Sequence, residues 1–195
     1  MAKSEKRGKR FFHRTSYNLS FSHNYSLHLS SCNGENMRNK SDDLQKIRSI
    51  ADYQFWKSVG ENLFPDNVKI IYSKRTGRIR YVYLRKKRLA TLRPTNGLFS
   101  IAVAGAKRIM DGTDSPRLWV QIKEEAVPFV AKGRSVFAKH VVDADIEIRP
   151  QEEVIVINRK GEVLAVGRAL LTGEEMKAFN RGVAVRVRRG VKEES

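Results

Sequence analysis

At 195 residues and 41% hydrophobic content, the chain is long enough for one domain or two small ones and apolar enough to build real cores, which excludes a wholly disordered tail. Its 38 Lys and Arg against 21 Asp and Glu give a net charge of +17, a field that attracts polyanions and nucleic acid above all. No stretch reaches the ~18 apolar residues of a spanning helix, no apolar segment follows the basic N-terminus as a signal peptide requires, and the single Cys32 excludes an intramolecular disulfide or a thiolate zinc cluster. A cytoplasmic protein without a membrane partner is the expectation.

Residues 1–36 carry six Lys and Arg against two acids and are rich in Ser, Asn and His. Their apolar residues follow no sustained period, so residues 1–40 read as a disordered basic arm. His13, His23, His28 and Cys32 lie here, but their spacing matches no common zinc pattern, and no metal site is assigned.

Residues 37–116 hold most of the positive field, with seventeen Lys and Arg against seven acids. Ser41-Asp42-Asp43 is a good N-cap with acids at the positive end of the helix dipole. Leu44, Ile47, Ala51 and Phe55 repeat at helical spacing, predicting a helix to about Val59 that stops near Gly60 or Pro65. The period then shortens to that of strands, over Val68–Ser73, Arg78–Arg85, Arg88–Arg93 and Leu98–Ala102, with a turn at Thr76-Gly77. A short helix over Val103–Met110 completes an α+β domain assigned to residues 41–114.

From residue 115 to 191 the pattern is β-dominated. Strands are predicted over Leu118–Ile122, Val136–Val142, Glu153–Asn158, Val163–Leu171 and Val183–Arg188. A helix over Glu124–Lys132, with Val127, Phe129 and Val130 as its buried candidates, ends on Gly133, and Thr172-Gly173 leads into a helical turn over Glu174–Phe179. About six short β elements with two small helices predict a nearly closed barrel, so the fold class is α+β.

This last zone is similar to a PUA domain, the RNA-binding barrel of pseudouridine synthases and archaeosine transglycosylases. The match is carried by Val130-Ala-Lys-Gly-Arg-Ser-Val-Phe-Ala-Lys-His-Val-Val-Asp-Ala-Asp145, Ile148-Arg-Pro-Gln-Glu-Glu-Val154, Val163-Leu-Ala-Val-Gly-Arg-Ala-Leu-Leu171 and Gly182-Val-Ala-Val-Arg-Val-Arg-Arg189. Gly77-Arg-Ile-Arg, Leu89-Ala-Thr-Leu-Arg-Pro and Gly97-Leu-Phe-Ser resemble the small domain that precedes PUA in archaeal tRNA-guanine transglycosylase. Glu174-Glu-Met-Lys-Ala-Phe-Asn-Arg-Gly182 also follows that family's version of PUA. The resemblance implies a pre-PUA domain followed by PUA, acting in archaeosine tRNA modification. The family's catalytic barrel, with its aspartates and its zinc site of several Cys and a His, has no counterpart in the residue pattern. The chain is therefore expected to be a non-catalytic tRNA-binding protein without a cofactor, standing alone or serving as the C-terminal subunit of a split transglycosylase. The alternative is a PUA protein associated with ribosomes or translation factors. A third class, an independent enzyme, finds no active-site aspartate context.

The resemblance puts the RNA 3′ end and its stem at Lys132-Gly133-Arg134-Ser135 and the strand after it, where Gly133 would let backbone approach a phosphate or base edge while Lys132 and Arg134 neutralise phosphates. Gly133 reads equally as a helix C-cap. Of Val136 and Phe137, one belongs to the core and the other is free to stack. Lys139 and Arg168, on the predicted strands Val136–Val142 and Val163–Leu171, are further RNA-binding candidates. Arg186 and Arg188, sharing one face of the last strand, with Arg189 beside them, form a candidate phosphate clamp or a solvated face. Residues 69–93 hold ten Lys and Arg and no acid. Arg85, Lys86, Lys87 and Arg88 occupy a hairpin tip, with Arg78 and Arg80 on the preceding strand. Tyr81 and Tyr83 fall on the opposite face and read as core or partner surface in preference to base-stacking platforms. His140 reads as structural in an apolar strand, and Asp143 and Asp145 as a loop closing the barrel.

Overall fold

A computed structural model describes residues 40–193, so the arm and its His and Cys residues fall outside the described part. Helix α1 spans Lys40–Phe55 and buries the expected stripe of Ile47, Ala51 and Phe55. It ends earlier than its period suggests. Trp56 and Ser58 take positive φ, and a second helix, α2, runs back over Val59–Leu63. The reversal lets Gly60 press against α1: a Cβ there would lie 2.4 Å from the Arg48 carbonyl oxygen, and the Gly60 N–H donates to Asp52 Oδ1 at 2.7 Å.

Four antiparallel strands follow in sequential order: β1 (Lys69–Tyr72), β2 (Ile79–Leu84), β3 (Lys87–Leu92) and β4 (Phe99–Ile101), then helix α3 (Val103–Gly112). The cross-strand row Val82, Ala90 and Ile101 is buried on the face where α1 and α3 pack. The neighbouring row Ile71, Tyr81, Thr91 and Ser100 points the other way and stays partly exposed. Edge strand β4 is capped by side chains. The Gln54 amide brackets Phe99, donating to its carbonyl at 2.9 Å and accepting from its N–H at 2.7 Å.

The second sheet contains β5 (Trp119–Ile122), β6 (Val136–Phe137), β7 (Val141–Ala144), β8 (Glu153–Ile157), β9 (Val163–Ala169) and β10 (Val183–Gly190), with the short helices α4 (Val127–Val130) and α5 (Gly173–Ala178). Their order is β6-β10-β9-β8-β5-β7, antiparallel throughout except for the parallel β5–β8 pair. Strands β6 and β7 sit at opposite ends of that order, yet only the turn Ala138–His140 separates them in the chain. Three residues cannot cross a flat six-stranded sheet, so the sheet must curl until its ends nearly meet. The expected strand over Val136–Val142 is thus two strands broken by a 3₁₀ turn. Every residue of β8 is buried, as expected for a central strand with a parallel neighbour. Helix α5 opens on a capping box, Thr172 Oγ1 accepting from the Glu175 N–H and Glu175 from the Thr172 N–H.

Candidate RNA interface

Gly133 ends α4 as a glycine cap. Its N–H donates to the Val130 carbonyl at 2.9 Å and the Arg134 N–H to that of Phe129 at 3.1 Å, with φ +84° at Gly133. A Cβ on Gly133 would lie 2.4 Å from Glu193 Oε1, so a carboxylate already fills that side of the glycine. The cap therefore explains the glycine on its own. Lys132 and Arg134 are exposed on either side of it.

Beyond the cap lies a cavity of about 690 Å³, lined by Phe129, Arg134, Ser135, Phe137, Lys139 and His140, among others. Val136 is core, whereas Phe137 is 48% exposed. Phe129, expected on the buried side of its helix, is 63% exposed instead, because the single turn of α4 commits Val130 to the core and turns Phe129 to the cavity. Two aromatic rings with Arg134 and Lys139 make a seat with apolar walls and two cations at its rim, where Glu125 also stands. His140 lies on the turn before β7, not in a strand, and its Nδ1 meets Glu125 Oε1 at 3.0 Å, which gives it a structural partner.

The hairpin cations reach the same region. The tip is the two-residue turn Arg85–Lys86, with φ +54° at Arg85, while Lys87 and Arg88 belong to β3. A basic concavity of about 580 Å³ is lined by Tyr83, Lys86, Lys87, Arg88, Lys107 and, from the C-terminal turn Val191–Glu193, Val191. On its other side this turn rests on the α4 cap, with the Lys192 N–H donating to the Ala131 carbonyl at 3.0 Å and Glu193 against Gly133. The hairpin and the Lys132–Ser135 loop therefore flank one short turn. Charge runs alone gave no sign of this neighbourhood, nor of Lys107, which comes from a helix.

The last strand departs from simple alternation. Between Val187 and Arg189 its register on β9 shifts, and Arg188 is the extra residue. Its guanidinium turns to Glu153, which is 1% exposed, with Nη1 donating to Oε2 at 3.0 Å, and it donates from Nη2 to the Ile101 carbonyl at 2.7 Å. Arg188 thus bridges the two sheets in place of forming a two-arginine row with Arg186. Arg186 instead stands cross-strand from Arg168, itself opposite Glu153. Arg189 is exposed. Arg93 joins this group: burial pushes its guanidinium below the ordinary value, Glu153 opposes that, and Arg168 and Arg188 reinforce it. Pairing to a buried acid across domains leaves no trace in sequence periodicity.

Arg78 and Arg80 are exposed near the other end of the first sheet. Tyr81 and Tyr83 are not core. They are half-buried on the sheet face away from α1 and α3, because Val82 between them takes the packed side. Asp145 follows β7, its Oδ2 accepting from the Leu118 N–H just before β5 at 2.8 Å. Asp143 pairs with Lys177 at 3.3 Å. Among the described residues no group of three His, Cys, Asp or Glu could hold a metal, and no helix is long and apolar enough to cross a membrane.

Residues 45–116 match the patch-forming domain C2 of tRNA-guanine transglycosylase, and residues 119–191 match the PUA domain. A tRNA-guanine(15) transglycosylase of Methanothermobacter thermautotrophicus is 46% identical over 149 residues, 76% of this chain and 23% of the relative. That of Thermococcus kodakarensis is 44% identical over 152 residues, 78% of this chain and 26% of the relative. The chain therefore spans about a quarter of the length of the curated relatives it matches. Among solved structures, a hypothetical protein of Pyrococcus horikoshii superposes with a TM-score of 0.64 at 26% identity, covering 79% of this chain and 92% of that one. A conserved PUA domain protein of Thermoplasma acidophilum shares the fold, with a TM-score of 0.57 at 20% identity, covering 78% and 90%. Residues 45–116 and 119–191 thus match, in this order, a C2 domain and a PUA domain, and together they resemble the C-terminal part of archaeal tRNA-guanine transglycosylase.

Proposed function

We propose that this chain is a non-catalytic tRNA-binding module of archaeosine modification, standing alone or serving as the C-terminal subunit of a split transglycosylase. The observation that carries the reading is the meeting of two basic elements, the Arg85–Arg88 hairpin and the Lys132–Ser135 loop, on either side of the turn Val191–Glu193. Cations on the two sides of that turn, which itself carries Glu193, would neutralise neighbouring phosphates of a folded RNA. The Phe129–Phe137 cavity next to them suits an unpaired terminal nucleotide of the acceptor stem. A-form helices offer little base readout in their deep groove, so affinity comes from backbone and shape while the free 3′ end supplies selectivity.

The test is a binding series on folded tRNA, the same tRNA with its 3′ end trimmed, and a DNA duplex of equal length, across a salt range. Steep salt dependence with a preference for intact tRNA is expected. Equal affinity for the DNA duplex overturns the reading. For the split-subunit arm, co-purification with a transglycosylase that lacks these two domains is expected from the native source, and a full-length transglycosylase in the same genome would overturn that arm.

A further inference from the structure

We infer that the face of the four-stranded sheet turned away from α1 and α3 is a second RNA surface, one that stacks unpaired bases on Tyr81 and Tyr83; this rests on the tRNA-binding reading and specifies which RNA form the C2 domain takes. The two rings lie edge to face with centroids 6.4 Å apart, on adjacent outward positions of β2. Outward residues two apart on a strand stand about 6.5–7 Å from one another, a separation that stacked nucleotides reach when the backbone extends. Neither ring is consumed by the core, because Val82 between them carries the packing.

The surroundings are chosen for a nucleic acid. Cross-strand pairing sets Lys69 and Arg88 on the two sides of Tyr83, so its ring sits between two cations. Arg80 lies over the Tyr81 ring, its Cζ 5.1 Å from the centroid. A guanidinium at this distance from an aromatic ring supplies a cation beside a surface that stacks planar groups. Tyr83 also lines the concavity with Lys86, Lys87, Arg88 and Lys107, and no acidic residue is among its lining. A base on Tyr83 would therefore have its phosphate within the reach of four cations. A protein partner for this face would have to be strongly acidic as well as aromatic-binding. A single-stranded polynucleotide satisfies both requirements with each repeating unit.

Two RNAs with equal numbers of phosphates separate the possibilities: a short single strand carrying 2-aminopurine, and a fully paired duplex. The full chain is expected to quench the 2-aminopurine on binding, and Tyr81→Leu and Tyr83→Leu to reduce that quenching. Tyr81→Leu and Tyr83→Leu should each weaken the single strand about tenfold and leave the duplex unchanged. Tyr83→Phe should bind as the unmodified chain does, and circular dichroism checks the fold of each variant. Bound single strand without quenching, quenching abolished by Phe137→Ala but not by the Tyr variants, or equal losses on both RNAs would overturn the inference. Loss of a captured acidic protein with both RNA affinities unchanged would assign the face to a protein and overturn it too. If the unmodified chain binds neither RNA at low salt, the tRNA-binding reading itself fails, an outcome distinct from all of these.

Discussion

The Arg188 guanidinium grips the Glu153 carboxylate and the Ile101 carbonyl together, so one side chain of the barrel completes the outer edge of a strand in the preceding domain. The Ile101 N–H closes the arrangement by donating to Glu153 Oε1 at 3.1 Å. With Gln54 on Phe99, every outward backbone group of β4 at these two residues is met by a side chain. An edge strand finished in this way cannot recruit a foreign strand. The bond network also fixes the two domains relative to each other through groups that must leave water together.

Breaking that network should be costly. Glu153→Ala strands the Ile101 N–H and leaves Arg188 facing Arg93 and Arg168, whereas Arg188→Ala leaves a buried carboxylate with less compensation. Each is expected to lose about 3 kcal/mol, toward the lower end of buried pairs because Arg188 keeps partial solvent contact. The double variant should lose less than the two single losses combined. Urea titration of the four proteins reads this directly. Additive losses would show that the pair is not a unit.

Gly133→Ala tests the cap. The residue holds φ +84°, and an added Cβ meets the Glu193 carboxylate, although that side chain can swing away. A loss of about 1–2 kcal/mol in thermal or chemical unfolding is expected from the left-handed backbone. Gly133→Asn should lose less, since Asn tolerates that region better. If both substitutions are neutral, the cap does not depend on glycine.

What the sequence made legible follows from how local each signal is. The buried stripe of α1, the four-strand meander and the five predicted barrel strands come from hydrophobic period, which depends only on which face is packed. The break at Trp56–Ser58 was hidden because the period runs on to Val59, while the reversal is decided by Gly60 meeting Arg48 across two helices. The split of β6 from β7 was hidden because Val136, Ala138, Val141 and Val142 preserve an apolar texture through the turn. Among site residues, Lys132, Arg134 and the hairpin cations could be named from charge and resemblance. Arg188 was misplaced, since a bulge shifts the alternation and its partner, Glu153, lies 35 residues away in sequence. Phe129 and Lys107 were missed for the matching reason: their place in a cavity depends on three elements folding together.

The two basic elements should fail differently. Lys86→Ala and Lys87→Ala are expected to lower affinity for all RNAs alike and to reduce the salt slope by about one unit each. Arg134→Ala should reduce the slope similarly but also erode the preference for an intact 3′ end, because Arg134 lines the aromatic cavity. Fluorescence anisotropy over a salt series on intact and trimmed tRNA separates slope from preference. Identical behaviour of all three variants would mean that the cavity takes no part in selectivity.

Phe137→Ala isolates the aromatic wall from the charge. The ring is 48% exposed and its neighbour Val136 carries the packing, so stability should change by less than about 1 kcal/mol. Net charge is unaltered, and the salt slope should stay where it was. If a terminal base stacks on the ring, affinity for intact tRNA falls about tenfold, in line with the 1–3 kcal/mol of one base–aromatic stack. Affinity for trimmed tRNA would hardly move, so the discrimination ratio collapses while the slope survives. A variant that loses the slope but keeps the ratio would reverse the division of labour between cavity and hairpin.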